Sequence, residues 1–244
     1  MRNSEWRLAR SSDRTSAISG EPIPYPPISQ AAPATALTLT LLVVAAVLFG
    51  VIANDVVQGG PLSLLDVRIA AWLHAHSSGA LTNTMFIITQ LHSTFAIAGL
   101  ATVAACLAAW RRRWGRMAMI SVVVGGGLLL NVLLKHAFHR ARPTFVDPIL
   151  TLDTFSFPSG HVAGSTVFYA LGVCWVFAQT TQLRWRLLAM LGAAMMVALV
   201  AFSRMALGVH YLSDVTAAFA EGVFWVTLCV AAMAMYFRSP GRLT

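Results

Sequence analysis

Six apolar runs constrain this chain more than any other feature. They span roughly residues 36–54, 94–110, 117–135, 162–179, 187–203 and 215–237. At about 1.5 Å per helical residue, each approaches or exceeds the length needed to cross the roughly 30 Å hydrocarbon core of a bilayer. Of the 244 residues, 57% are hydrophobic and 11% charged, whereas soluble domains average about 25% charged residues. A water-soluble domain is excluded on that ground, and disorder over most of the chain is excluded by the hydrophobicity itself. The sequence predicts an all-α integral membrane protein, a bundle of six transmembrane helices over 36–237.

The flanks read differently. Residues 1–35 are polar and proline-dotted (Glu21 to Pro27) and predict a disordered tail, and 238–244 a short C-terminal tail. The 36–54 run starts too far from the N-terminus for a signal peptide, so it predicts a retained helix. Between the first two runs, Leu62, Leu65, Ile69 and Trp72 recur at helical spacing with Asp66 and Arg68 opposite. That pattern predicts a short helix lying in the membrane interface. The stretch 80–91 extends towards the second span.

Charge sets the orientation. The formal net charge is +8, and Lys135 is the one lysine among 17 basic residues. No basic helix carries interleaved aromatics, so nucleic acid is not a predicted partner. With the N-terminus in the cytoplasm, 12 basic residues fall on the cytoplasmic side and five outside. The positive-inside rule therefore predicts both termini cytoplasmic. Cys106, Cys174 and Cys229 sit inside apolar runs and read as small core hydrophobes.

The five outer cations need another explanation, and four of them lie beside histidines at span ends. Lys135 to Pro143 (Lys-His-Ala-Phe-His-Arg-Ala-Arg-Pro) follows the third span. Pro158-Ser159-Gly160-His161 opens the fourth. The fifth runs into Ser203-Arg204, with His210 and Asp214 just beyond. Alternating spans put all three at one membrane face, predicted to be the extracytoplasmic one. Three cations, two histidines and a carboxylate at one depth suit a tetrahedral anion.

These three segments resemble the tripartite signature of the type 2 phosphatidic acid phosphatases, K-x6-RP, PSGH and SR-x5-H-x3-D, a signature shared with vanadium haloperoxidases. Every fixed position is matched, over 135–214. The resemblance implies a lipid phosphate or diphosphate phosphatase that works through a phosphohistidine, with no metal or cofactor, in a bacterial inner membrane. His210 is the expected nucleophile, and Asp214, one helical turn on, orients it. His161 is the expected general acid and later base, which predicts a bell-shaped pH profile. Lys135, Arg142 and Arg204, with Ser159 and the Gly160 N–H at a helix N-terminus, are the expected phosphate cradle. Among phosphorylated lipids, undecaprenyl diphosphate is the first expectation. Phosphatidate, phosphatidylglycerophosphate and lipid A phosphates are alternatives. A vanadate-dependent peroxidase and a non-catalytic lipid-binding protein remain as other classes.

Four further expectations concern residues outside the signature. Arg140 is expected to snorkel to the interface. His74, His76, His92, His136 and His139 read as interfacial or hydrogen-bonded helix-end residues. Glu221, seven residues after Asp214, is either a functional carboxylate over a water-filled pocket or the partner of Asn131 or Ser203. Phe145, Phe155 and Phe157 are expected to dip into the interface beside the site.

Overall fold

A computed structural model describes residues 28–238, with side chains from 36 to 235. Packing divides the chain into Met1–Ala36 and Leu37–Thr244. Of the first unit only the helical backbone from Ile28 is described, inside the stretch expected to be a tail. Residues 1–27 and 239–244 lie outside the described residues. Everything below concerns the second unit.

The helices are α1 (Ile28–Gln58), α2 (Pro61–Ala75), α3 (Gly79–Leu91), α4 (Thr94–Trp110), α5 (Trp114–Ile120), α6 (Gly126–Phe138), α7 (Gly160–Gln179), α8 (Leu183–Ala206) and α9 (Leu212–Arg238). No strand occurs among the described residues. Among the described residues six stretches are long and apolar enough to cross a membrane: Ala36–Gln58, Gly79–Trp110, Trp114–Phe138, Gly160–Gln179, Leu183–Ala206 and Leu212–Met235. The expected six-helix membrane bundle is the fold observed.

The second stretch is two helices, broken at His92-Ser93. Ser78 and Ser93 cap α3 and α4, their hydroxyls accepting from the N–H groups of Leu81 and Ala96. The third is also interrupted, by a π-helical turn at Ser121–Gly125 between α5 and α6. There Trp225 Nε1 of α9 donates to the Val123 carbonyl at 2.8 Å. The same indole explains the glycines that follow: a Cβ at Gly126 would sit 2.4 Å from Trp225 Cζ2. The glycine run is a seat for one tryptophan, and α9 packs close because of it.

α7 is the central helix, packed against α8, α9, α6 and α4. The buried positions are mostly small: Ala163, Ala217, Ala218 and Ala220 with Val162, Val167 and Val200. Large hydrophobics such as Val43, Val47, Leu100, Leu133 and Leu188 face outward. That inversion suits a lipid solvent, in which close contact between backbones drives helix association.

α2 forms where expected. Asp66 and Ala70 are buried, while Leu65 and Trp72 are exposed. The exposed part of the apolar stripe suits the expected interfacial helix, and on the opposite face the Asp66 carboxylate finds partners inside the protein. The aromatics of the 139–159 connection also turn inward. Phe157 is fully buried against Phe49 and Phe138, Phe145 stacks on His74 at 4.1 Å, and Phe155 packs on His136 and His139. In that loop it is Val146 and Leu152 that are exposed.

Candidate active site

The three motifs meet at one end of the bundle, and local sequence explains how. α6 runs to Phe138, which leaves Lys135 in its last turn. Ser159 is the N-cap of α7, and its backbone N–H donates to the Asp214 carbonyl at 3.1 Å. α8 carries Arg204 in its last turn and ends in a Schellman motif. The Val209 N–H reaches the Arg204 carbonyl and the Gly208 N–H the Met205 carbonyl. Gly208 sits there at φ +70°, in the left-handed region that favours glycine. The chain reverses within five residues, so His210 stands between α8 and α9.

A Cβ at Gly208 would lie 3.0 Å from Phe145 Cε2. Gly208→Ala is therefore expected to cost about 1–2 kcal/mol through the left-handed backbone alone. It should also reduce turnover by displacing His210. Thermal melting and phosphate release on the same sample check both effects.

His210 is almost fully buried, and its two ring nitrogens face different partners. Nδ1 lies 3.2 Å from Asp214 Oδ2, which also accepts from the Tyr211 N–H at 2.9 Å. Nε2 lies 3.2 Å from Arg142 Nη1. Arg142 is itself fixed by the Val209, Thr154 and Phe155 carbonyls and the Thr154 hydroxyl. Lys135 Nζ donates to the Phe155 carbonyl at 2.7 Å. Its stem passes Gly160, where a Cβ would come 3.7 Å from Lys135 Cε and 3.1 Å from Asn131 Oδ1. Arg204 is 2% exposed and donates from Nη1 to Thr89 Oγ1 at 2.6 Å. Within this cluster, Arg204 Nε and the Ser159 hydroxyl are buried without a partner. His161, half-buried in the first turn of α7, lies within electrostatic reach of Arg204, His210, Arg142 and Lys135. All eight expected site residues thus come together.

Such a cluster can take an anion, since it concentrates cationic and unsatisfied donors around one neutral nitrogen. Burial, and then Arg142, Arg204 and Lys135, push the His210 imidazole well below its ordinary value. Burial also lowers Arg142, against the opposing pull of Asp214.

The sign for stability follows. Below about pH 6.5 the unfolded histidine takes a proton that the folded one refuses, so stability is lost as pH falls. Between pH 8 and 5 this amounts to about 2 kcal/mol. In phosphate-free buffer the melting point of the wild type is expected to fall more steeply over that range than that of His210→Gln. Parallel curves would remove the assignment.

Arg140 does not snorkel. It bridges Asp214 Oδ1 at 2.6 Å and Asp66 Oδ2 at 2.9 Å, and lies over the Tyr211 ring. Burial would lower it, but Asp214 and Asp66 outweigh burial and raise it. Asp66 is the functional-site residue that sequence reasoning missed; its signal was a carboxylate inside Leu64-Leu65-Asp66-Val67. Glu221 is buried and accepts from Asn131 Nδ2 at 3.0 Å, the bland alternative, although its Oε1 has no partner. Ser203 bonds the Val200 carbonyl instead. His92 pairs with the Tyr169 hydroxyl at 2.7 Å. Among the described residues no three His, Cys, Asp or Glu side chains come together as a metal site requires.

The 139–159 connection encloses a hollow of about 470 Å³ lined by Arg142, Phe145, Leu150, Thr154 and Val209, among others. Arg142 belongs both to it and to the His210 cluster.

Comparison with known proteins agrees with this geometry. Residues 116–238 match the PAP2 superfamily. Phosphatidylglycerophosphatase B of Bacillus subtilis (strain 168) is 31% identical over 145 residues, 59% of this chain and 70% of that protein. The decaprenylphosphoryl-5-phosphoribose phosphatase of Mycolicibacterium smegmatis is 33% identical over 131 residues, 51% of this chain and 62% of that protein. The crystal structure of a transmembrane PAP2-type phosphatidylglycerolphosphate phosphatase from Bacillus subtilis superposes with a TM-score of 0.67 at 25% identity. That superposition covers 84% of this chain and 98% of the other.

Proposed function

The chain belongs to the PAP2 superfamily, a membrane-embedded phosphoric ester hydrolase, and from that premise we propose a metal-independent lipid phosphatase that works through a phosphohistidine on His210. The observation that carries the reading is the split environment of His210. Nδ1 is held by a fully buried carboxylate, while Nε2 faces Arg142.

In this reading an arriving phosphate takes over the Arg142 donor, and the Nε2 lone pair becomes free. Nε2 attacks phosphorus in line, the P–N bond forms, and the bond from phosphorus to the lipid-side oxygen breaks. His161, protonated, gives that oxygen its proton. The Nδ1 proton stays shared with Asp214, which stabilises the positive imidazole ring. His161, now neutral, takes a proton from water. The hydroxide attacks phosphorus, the P–N bond breaks, and phosphate leaves. Lys135, Arg142, Arg204, the Ser159 hydroxyl and the Gly160 N–H neutralise the equatorial oxygens throughout. This cycle predicts the bell-shaped pH profile.

The names of both curated relatives describe a terminal phosphate on a polyol carried by a lipid, glycerol in one and ribose in the other. Phosphatidylglycerophosphate is therefore the leading substrate. Undecaprenyl diphosphate is the second, because one relative's substrate carries a polyprenyl chain. Arginine placement supports a plasma-membrane protein with the site extracytoplasmic.

The test is phosphate release by purified protein in detergent with EDTA, wild type beside His210→Ala, on phosphatidylglycerophosphate, undecaprenyl diphosphate and phosphatidate. Release by wild type alone, with an acid-labile phosphoenzyme, supports the mechanism. Release that vanishes with EDTA, or that His210→Ala retains, overturns it.

A further inference from the structure

Asp66 lies on α2, outside the 116–238 segment that matches the superfamily, yet it reaches the reaction centre. Its side chain is fully buried and completely engaged. Oδ1 accepts from the Ser213 N–H at 2.9 Å, and Oδ2 accepts from Arg140 Nη2 at 2.9 Å and from the Ser213 hydroxyl. Arg140 Nη1 in turn donates to the Ser213 hydroxyl and to Asp214 Oδ1, each at 2.6 Å. The chain of contacts runs Asp66, Arg140, Asp214, His210.

We propose that Asp66 and Arg140 are a positioning pair that fixes the carboxylate orienting the His210 nucleophile. The proposal rests on the phosphohistidine reading above.

The geometry shows what each member does. A guanidinium and a carboxylate pair most strongly as two parallel hydrogen bonds. Left alone with Asp214, Arg140 would take both of its oxygens. Here it takes one, because Asp66 holds the other end of the fork and the Tyr211 ring, 4.4 Å away, fixes its plane. Asp214 Oδ2 is thereby kept for the His210 Nδ1–H and the Tyr211 N–H. Asp66 thus acts by restraining Arg140, and Arg140 keeps the Asp214 carboxyl pointed at the imidazole. Neither residue touches the phosphate cradle of Lys135, Arg142 and Arg204. Their loss is therefore a loss in kcat, with phosphate affinity preserved.

The experiment compares Asp66→Asn, Arg140→Gln, Arg140→Lys and the Asp66→Asn/Arg140→Gln double variant with wild type, in detergent, on phosphatidylglycerophosphate. The readouts are kcat, KM, the inhibition constant of inorganic phosphate, and acid-quenched phosphohistidine in a single turnover. Outer partners that orient a metal-ligating histidine are worth about 10–100-fold, and a partner that orients a histidine nucleophile through one intermediary is expected to act on the same scale. Asp66→Asn is expected to lower kcat and the rate of phosphohistidine formation by about that factor, with KM and phosphate inhibition within about twofold. Arg140→Lys should recover part of what Arg140→Gln loses. In the Arg140→Gln background Asp66→Asn should add less than about twofold, since it acts through the guanidinium.

Normal kcat per folded Asp66→Asn enzyme would overturn the proposal, as would phosphate inhibition that weakens in step with kcat, or independent multiplication of the two effects. If Asp66→Asn does not fold, Arg140→Lys decides by the same split between kcat and phosphate inhibition. Wild type that releases phosphate without a phosphohistidine would overturn the underlying reading, a result distinct from a silent Asp66→Asn.

Discussion

Asp214→Asn is expected to abolish nearly all turnover, lowering kcat about 10³–10⁴-fold, the size of the same exchange in hydrolase triads. The side chain is fully buried and acceptor-only on both oxygens. Oδ1 faces Arg140; Oδ2 faces the Tyr211 N–H and His210 Nδ1. An amide has one acceptor and one donor, and neither orientation fits. With its NH2 at the Oδ1 position it confronts the Arg140 guanidinium. With NH2 at the Oδ2 position it confronts the Tyr211 N–H and makes His210 Nδ1 the acceptor. The ring proton then moves to Nε2, the atom that must attack. Phosphate inhibition should change far less than kcat. A variant that keeps more than about a tenth of wild-type kcat, against the 10³-fold loss expected for the wrong tautomer, would remove Asp214 from its role.

The second large effect concerns Arg204, and there activity and stability should move in opposite directions. Arg204 is among the largest fully buried side chains, has no carboxylate partner, and leaves Nε without an acceptor. An isolated buried cation is costly unless paired. Without an anion the protein bears that cost, and Arg142 and Lys135 nearby add to it. Arg204→Gln retains a donor for Thr89 and removes the charge. Turnover is expected to fall about 10²–10³-fold, as for loss of one oxyanion donor. The melting point without phosphate is expected to rise. The stabilisation that phosphate gives the wild type, about 2.7 kcal/mol at a hundred times Kd, should largely disappear. A variant that melts lower than wild type without phosphate would contradict the picture of an unpaired charge awaiting its anion.

Much of this was legible in the sequence for a physical reason. The spans are set by apolar length, which is local, and the motif residues stand at span ends, so alternation alone brought Lys135, Ser159, Arg204 and His210 to one face. What stayed hidden depends on contacts between distant segments. Asp66 is 74 residues from Arg140 and 147 from Ser213, and no periodicity links them. The interfacial stripe of α2 was legible, whereas the burial of Asp66 on its other face depends on the Arg140 guanidinium, which no local pattern reveals. Phe157 was misplaced likewise, because its partners Phe49 and Phe138 belong to two other helices. Trp225 as the neighbour of Gly126 and Gly127 was likewise not visible from spacing.

The division of labour between helix ends and the 139–159 connection bears on how such a protein changes over time. His210 stands on a five-residue corner whose backbone is fixed by helix capping, and Asp214 lies in the first turn of α9. The stretch 146–154 is largely exposed; Thr154 holds Arg142, and Ile149 and Leu150 pack on the corner at Ala206 to Val209. Sequence drift at Thr151, Leu152 and Asp153 alters the wall of the hollow beside Arg142 without changing a residue bonded to His210 or Asp214.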